Sequence, residues 1–178
     1  LEFRRVLFRS STDVLGRLLA QAMSKSLQQT VLVENTGGAG GTIGAARVSR
    51  LSADGYNLLF HNMAHASAPA LYTKLTYDPV TDFEPIGIVT EVPMILVARK
   101  DFPANNLQGV LAYAKERPGK INFANAGVGA TSNLCEALLQ STTNTKWLSV
   151  PYKGTGPALN DLLAGQVDFI CDQPASTL

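Results

Sequence analysis

Three segments of the chain have the pattern of a strand followed by a glycine-rich turn and a helix. They span residues 31–51, 121–140 and 148–163. Such a turn leaves the first backbone N–H groups of its helix unpaired, so each segment could bind a carboxylate or a phosphate. The pattern predicts a protein that holds a small anion.

The second of these turns carries the residues best suited to that chemistry. Gly127 and Gly129 would let a ligand approach the backbone closely, while Thr131 and Ser132 would place hydroxyls at the start of a helix. The same two hydroxyls are also ordinary helix N-caps, and that alternative stays open. Lys153 could meet the anion or could be a solvated loop charge.

Other chemistries are disfavoured by the spacing of the residues. Neither glycine turn matches the dinucleotide pattern G-x-G-x-x-G, because Ile43 and Ser132 stand at the third glycine position. The positions that would bind a ribose, near His61 and Val150, are not acidic. We therefore expect no cofactor, and an oxidoreductase that uses a nucleotide cofactor is only a distant alternative.

Metal binding and nucleophilic catalysis are also disfavoured. His61 and His65 could share a helix face, but H-E-x-x-H is absent, so ordinary polar histidines are the favoured interpretation. Cys135 and Cys171 are favoured as buried thiols, although the two could pair in an oxidising compartment. We predict no metal and no catalytic residue, and hence no enzyme activity.

Composition limits the partners. The chain of 178 residues has 46% apolar and 16% charged residues, which is ordinary for a soluble globular protein. Its net charge is +1 and no cluster of Lys or Arg is long enough to track a phosphate backbone, so nucleic acid is not an expected partner. The longest apolar run, 92–98, is far shorter than the roughly 20 residues that span a bilayer.

Hydrophobic periodicity predicts an α/β fold with a largely parallel sheet in each of two lobes. Residues 1–10 lack any pattern, so we expect a non-native remnant that makes no contribution to the fold. Lobe 1 is predicted at 11–97 and lobe 2 at 98–178, with the fold truncated at both ends. Helices are predicted at 12–28, 42–51, 107–116, 131–141 and 156–164, and strands at 31–34, 57–60, 86–89, 94–99, 121–124, 147–150 and 167–171.

Short sequence pieces follow one another in an order that is typical of one family. In chain order they are Thr12-Asp13 with Arg17, Val33-Glu34-Asn35 with Gly38-Ala39-Gly40-Gly41, Asp54-Gly55-Tyr56-Asn57-Leu58-Leu59, Pro69-Ala70-Leu71-Tyr72, Tyr77-Asp78-Pro79 with Asp82-Phe83, Ala126-Gly127-Val128-Gly129, Pro151-Tyr152-Lys153-Gly154 and Leu162-Leu163-Ala164-Gly165-Gln166-Val167-Asp168. With these pieces the chain resembles the extracytoplasmic solute-binding proteins of tripartite tricarboxylate transporters, the Bug family.

The resemblance implies a two-lobed periplasmic-binding-protein fold of the Venus flytrap, type II class. Such a protein would capture a small carboxylated molecule in an interlobe cleft and deliver it to the permease subunits of a membrane transporter. It would be a periplasmic monomer, although no signal peptide can be read in this chain. The implied ligand-binding residues are Thr12, Asp13, Asn62 and His65 in one lobe, and Ala126, Gly129, Thr131, Ser132, Tyr152, Lys153, Gly154 and Asp172 in the other.

A second interpretation from a different functional class also stays open. The ligand-sensing effector domain of a transcription regulator shares the two-lobed fold and would differ by an attached helix-turn-helix. These residues do not contain such a motif. Transport is therefore the favoured function, and regulation is the alternative.

Overall fold

The computed structural model describes the backbone of residues 2–5 and the complete residues 11–174. The chain divides into two compact units, Leu1–Val92 and Pro93–Leu178. This division precedes the predicted lobe boundary between 97 and 98, and strand Ile95–Ala98 pairs with the last strand of the second unit. No helix among the described residues is both long enough and apolar enough to cross a membrane.

The first unit is built on three parallel strands in the order β2-β1-β3. The strands are β1 (Glu2–Arg5), β2 (Leu32–Asn35) and β3 (Asn57–Phe60). Three helices follow them: α1 (Ser11–Leu27), α2 (Thr42–Val48) and α3 (Ala64–Leu71). Helix α1 packs through Ala20 against Val31, with Leu19 and Met23 beside them, whereas Val14, Leu18 and Leu27 of the apolar stripe that its periodicity indicates are exposed. Helix α3 was not predicted, because Pro69 in its last turn indicated a loop.

Strand β1 overturns part of the expectation for residues 1–10. Its four residues pair with β2 on one side and β3 on the other, so that Arg5 lies opposite both Asn35 and Phe60. The prediction that the segment makes no contribution to the fold is therefore wrong for Glu2–Arg5. The other residues of that segment lie outside the described part of the chain, and its non-native origin stays a prediction.

The second unit contains a four-stranded sheet in the order β4-β7-β5-β6. Strands β5 (Asn122–Asn125), β6 (Leu148–Pro151) and β7 (Phe169–Asp172) are parallel, and β4 (Ile95–Ala98) runs antiparallel to β7. The helices are α4 (Leu107–Glu116), α5 (Thr131–Thr143) and α6 (Thr155–Leu163). These elements give the predicted strand–helix alternation.

Strand β5 is covered on both faces, and the alternation of its side chains explains how. Phe123 points into an aromatic cluster with Phe102, Trp147 and Phe169, whereas the next residue, Ala124, belongs to a separate cluster on α6. A strand with both faces buried holds its carboxyl end rigidly. The turn that follows Asn125 therefore starts from a fixed point.

The predicted strand at 86–89 does not form. Ile86 and Ile88 are 83% and 85% exposed, and no described residue pairs with this segment. The β-branched residues favour extended backbone, but a strand also needs a partner. The neighbouring strand prediction at 94–99 is confirmed as β4.

Cys135 and Cys171 form a disulfide that joins α5 to β7, with their Cα atoms 6.2 Å apart. The favoured interpretation as two free buried thiols is wrong, and the alternative pairing is correct. The two positions are separated by 36 residues, and only the tertiary packing of α5 on β7 brings them together. The bridge thus fixes the helix that follows the second glycine turn.

Removing residues 1–5 should destabilise the first unit, because β2 and β3 would lose the strand that lies between them. Hydrogen exchange of the β2 and β3 amides should accelerate, while the amides of β5 and β7 serve as the internal control in the same sample. Unchanged protection of β2 and β3 would show that the segment is dispensable.

Replacing both cysteines by serine should lower the free energy of unfolding by about 2 to 4 kcal/mol, because the unfolded chain regains the freedom of a long loop. Chemical denaturation measures the change. The double variant treated with reductant is the control, since reductant should destabilise only the wild-type chain. Equal stability of oxidised and reduced wild-type protein would contradict the expectation.

Candidate functional site

The three parallel strands of the second unit end along one edge of its sheet. Asn125 and Pro151 lie opposite each other at the ends of β5 and β6, and buried Asp172 ends β7. Ligands of open α/β sheets bind beyond the carboxyl ends of such strands. Helices α5 and α6 follow β5 and β6, so two helix starts belong to this edge.

Three backbone N–H groups of the glycine turn at 126–130 donate hydrogen bonds to nearby side chains. Those of Ala126, Gly127 and Gly129 donate to Ser132 Oγ (2.9 Å), Asn125 Oδ1 (3.0 Å) and Asn133 Oδ1 (3.1 Å), respectively. The predicted binding residues Ala126, Gly129 and Ser132 therefore hold the turn together. These three backbone donors are engaged within the protein, whereas the expectation of unpaired N–H groups concerns the first residues of the helix that follows.

Gly127 is required by the path of the neighbouring loop. Its φ of 109° favours glycine, and a Cβ atom there would lie 3.2 Å from the carbonyl oxygen of Tyr152. The Tyr152 N–H donates to the carbonyl oxygen of Asn125 over 2.8 Å, which brings the same two loops together. The close approach that the sequence indicated is thus made by another part of the protein chain.

The first turn of α5, unlike the glycine turn before it, has backbone N–H groups without a described hydrogen-bond partner. The helix begins at Thr131 after Ala130, whose side chain makes no cap, and the N–H groups of residues 131–133 have no hydrogen-bond partner among the described residues. The Thr131 hydroxyl is also buried without a partner. We call this set of three N–H groups and one hydroxyl the α5 seat. It offers donors and the positive end of a helix dipole, which suits a carboxylate.

Tyr152 is held by α6. Its hydroxyl donates to Asp161 Oδ2 over 2.6 Å, and this hydrogen bond raises the pKa of Tyr152 to about 12. The tyrosine side chain therefore positions the loop before α6. The two predicted residues that follow it differ in exposure, since Lys153 is exposed and Gly154, which precedes α6, is buried.

A buried polar network beneath the turn was missed in the sequence. Glu136 on α5 is 1% exposed, and its Oε2 accepts hydrogen bonds from Asn125 Nδ2 and Ser149 Oγ, both over 2.9 Å. Burial raises the pKa of Glu136. The available signal was the spacing of Ser132 and Glu136, which puts two polar residues on one helix face. Those two are the buried residues of α5, whereas Leu138 is 65% exposed.

The first unit brings three of its four predicted residues together. Thr12 and Asp13 are buried in the first turn of α1, and Asn62 Nδ2 donates to Thr12 Oγ1 over 3.3 Å. The Asp13 carboxylate accepts from Asn35 Nδ2 at 3.1 Å and from Arg17 Nε at 2.9 Å. Asp13 is thus engaged within the unit, and it fixes the start of α1 relative to the end of β2.

His65 has a different environment from the other three. Its Nε2 lies 3.1 Å from the Pro79 carbonyl oxygen, and its ring stacks on Tyr77 and meets the edge of Phe83.

Burial, and secondarily the nearby His65, lowers the pKa of His61 to about 4, so His61 is neutral near pH 7. Among the described residues, no three His, Cys, Asp or Glu side chains are placed to share a metal ion.

Comparison with known proteins gives a family match over most of the chain. Residues 15–177 match the family model described as "Tripartite tricarboxylate transporter family receptor". A UPF0065 protein of Agrobacterium vitis is 48% identical over 93% of this chain and 48% of its own length. BugT of Bordetella pertussis is 38% identical over 88% of this chain and 49% of its own. The chain therefore spans about half the length of these curated relatives.

Solved structures show the same fold. The periplasmic binding protein BugD is 46% identical with a TM-score of 0.91, over 99% of this chain and 60% of BugD. MatC from Rhodopseudomonas palustris with bound malate is 38% identical with a TM-score of 0.87, over 97% and 60%. An R. palustris protein solved with adipate is 32% identical with a TM-score of 0.91, over 98% and 60%. The predicted periplasmic-binding-protein fold is confirmed.

Proposed function

Because the chain belongs to the tripartite tricarboxylate transporter family of receptors, we propose that it binds a carboxylate ligand at the α5 seat. Members of this family are substrate-binding receptors rather than enzymes, so the oxidoreductase alternative falls away. The observation that carries the proposal is the Thr131 hydroxyl, buried without a partner beside three unpaired N–H groups. Malate and adipate, bound by two relatives, are dicarboxylates and set the ligand class that we expect.

The chemistry of the seat favours a carboxylate over a neutral ligand. Four donors can share two carboxylate oxygens, and hydrogen bonds to a charged acceptor contribute about 1.5 to 3 kcal/mol each. Leaving the buried Thr131 hydroxyl unpaired costs free energy in the empty protein, and the ligand removes that cost. Backbone N–H groups recognise the carboxylate but not the rest of the molecule. Other residues must therefore select among carboxylates.

The neighbouring helix supplies a second set of donors in this proposal. Gly154 makes no side-chain cap for α6, and no described hydrogen bond engages the N–H groups of Thr155 and Gly156 at the start of that helix. Lys153 adds a positive charge close to this helix start, which favours an anionic ligand. Asp172 at the end of β7 would accept a hydrogen bond from a hydroxyl or ammonium group of the ligand.

We propose that the first unit contributes through Thr12 and Asn62, which are hydrogen-bonded to each other beside the start of α1. Asp13 positions that helix start through Asn35 and Arg17. His65 is assigned a supporting role, because its ring packs on Tyr77 and Phe83.

We also propose a transport role in the periplasm. BugD is a periplasmic binding protein, and the Cys135–Cys171 disulfide suits an oxidising compartment. Closure of a two-lobed receptor on its ligand, delivery to permease subunits and a monomeric state are predictions from the family resemblance. Family membership supports transport over the alternative of a regulator's effector domain.

Substituting Thr131 by valine tests the α5 seat. The hydroxyl lacks a partner in the empty protein, so Thr131→Val should weaken malate or adipate binding by about 1.5 to 3 kcal/mol without lowering stability. Isothermal titration and thermal unfolding measure the two effects. Thr142→Val is the matched control, because the Thr142 hydroxyl donates to the carbonyl oxygen of Leu138 on the exposed side of the same helix. Unchanged affinity together with a lowered melting temperature would make Thr131 a structural residue.

A further inference from the structure

Glu136 and Asn125 are the polar members among the largest fully buried side chains of the chain's described residues. Burying a carboxyl group is costly unless its hydrogen bonds repay the loss of water. Glu136 Oε2 has two donors, but Oε1 is buried with no partner. The buried position therefore needs an explanation beyond packing.

The contacts of Asn125 supply that explanation. Its Nδ2 donates to Glu136 Oε2 over 2.9 Å and to Ser149 Oγ over 2.8 Å, while its Oδ1 accepts the Gly127 N–H over 3.0 Å. If the amide were flipped, its NH2 group would face the Gly127 N–H and its oxygen would face the carboxyl group. Glu136 thus decides which end of the Asn125 amide faces the glycine turn.

We propose that Glu136 is a positioning residue for the ligand: by fixing the Asn125 amide it holds the 126–130 turn against α5, so that the α5 seat stays open to a carboxylate. This inference rests on the proposed function of that seat. Three elements meet in it, since Asn125 ends β5, Ser149 lies on β6 and Glu136 lies on α5. The turn and the helix start are consequently held as one unit before a ligand arrives.

The surroundings of Glu136 shift its pKa upward, chiefly through burial, while its hydrogen bonds from Ser149 and Asn125 act in the opposite direction. No described cationic side chain pairs with it, and its burial favours the protonated form. The side chains that face it are Asn125 on β5, Ser149 on β6 and Asn133 on its own helix, and none of them carries a charge. On β7 the cysteine is in the disulfide, and Asp172 is the remaining titratable residue.

A charge on Glu136 would oppose the ligand, because a buried carboxylate on α5 would repel an anion at the start of that helix. The pKa of Glu136 is raised above its ordinary value, so its neutral form persists to higher pH than that of an exposed glutamate. Carboxylate affinity should therefore be highest below this pKa and should fall as pH rises through it. Bound ligand, in turn, should raise the pKa further.

Two substitutions of Glu136 show whether it positions the Asn125 amide or only fills space in the core. Glu136→Gln keeps an uncharged oxygen that can accept from Asn125 and Ser149, whereas Glu136→Ala removes the acceptor. Glu116→Gln is the control, because Glu116 is exposed on α4 and pairs only with its neighbour Arg117 among the described residues. Ser149→Ala, which removes one of the two donors to Glu136, provides a milder variant if Glu136→Ala does not fold.

The rate of hydrogen exchange at the Gly127 amide shows, without any ligand, whether the Asn125 amide still accepts the Gly127 N–H. Glu136→Ala, or Ser149→Ala in its place, should accelerate this exchange about tenfold, and Glu136→Gln should leave it within about twofold. Isothermal titration with malate and with adipate, from about pH 5 to about pH 8, measures the affinity of the α5 seat for a carboxylate. Glu136→Ala should bind about tenfold more weakly, and Glu136→Gln should bind as tightly as the wild type at low pH but lose the decline at high pH.

Unchanged Gly127 exchange in both Glu136→Ala and Ser149→Ala would overturn the positioning role. An affinity of Glu136→Gln that falls with pH as steeply as the wild type's would overturn the expectation that a charge on Glu136 opposes the ligand. If the wild-type chain binds neither dicarboxylate, the proposed function fails, while the exchange of Gly127 still decides whether Glu136 holds the turn.

Discussion

The site depends on the requirement that every buried N–H group finds a hydrogen-bond partner. In the second unit the glycine turn meets that requirement internally, through Ser132, Asn125 and Asn133. The first turn of α5 does not, because its N–H groups have no described acceptor and the Thr131 hydroxyl beside them is unpaired. At this helix start unpaired N–H groups and an unpaired hydroxyl therefore lie together, and a carboxylate can satisfy them.

The rest of the unit keeps this helix start in place. Strand β5 is buried on both faces, so the turn leaves the sheet from a fixed position. The disulfide ties α5 to β7, and Glu136 ties the same helix to β5 and β6. Donors that are fixed before binding lose little conformational entropy when the ligand arrives, which increases the affinity that each hydrogen bond provides. The same arrangement would suit the proposed receptor function, in which a ligand is held without being altered.

The sequence was informative where the interactions are local. Strand–turn–helix periodicity predicted the α/β alternation, and the residues of the second turn predicted Thr131 as a candidate binding residue. It was less informative where distant segments meet. The pairing of β1 with strands some thirty and fifty residues away, the Cys135–Cys171 bridge and the contact of Glu136 with Asn125 all depend on tertiary packing. At 86–89 the sequence predicted a strand that does not form. The composition of this segment favours extended backbone, but no described residue pairs with it.

Amide chemical shifts during a malate titration test the central claim most directly. In a ¹H–¹⁵N spectrum, the amides of Thr131, Ser132 and Asn133 should move downfield and gain protection from exchange, because each would donate to a bound carboxylate. The amides of Gly127 and Gly129 should shift little, since their hydrogen bonds to Asn125 and Asn133 persist. Saturable binding that leaves residues 131–133 unperturbed, with the changes confined to another part of the chain, would contradict the account.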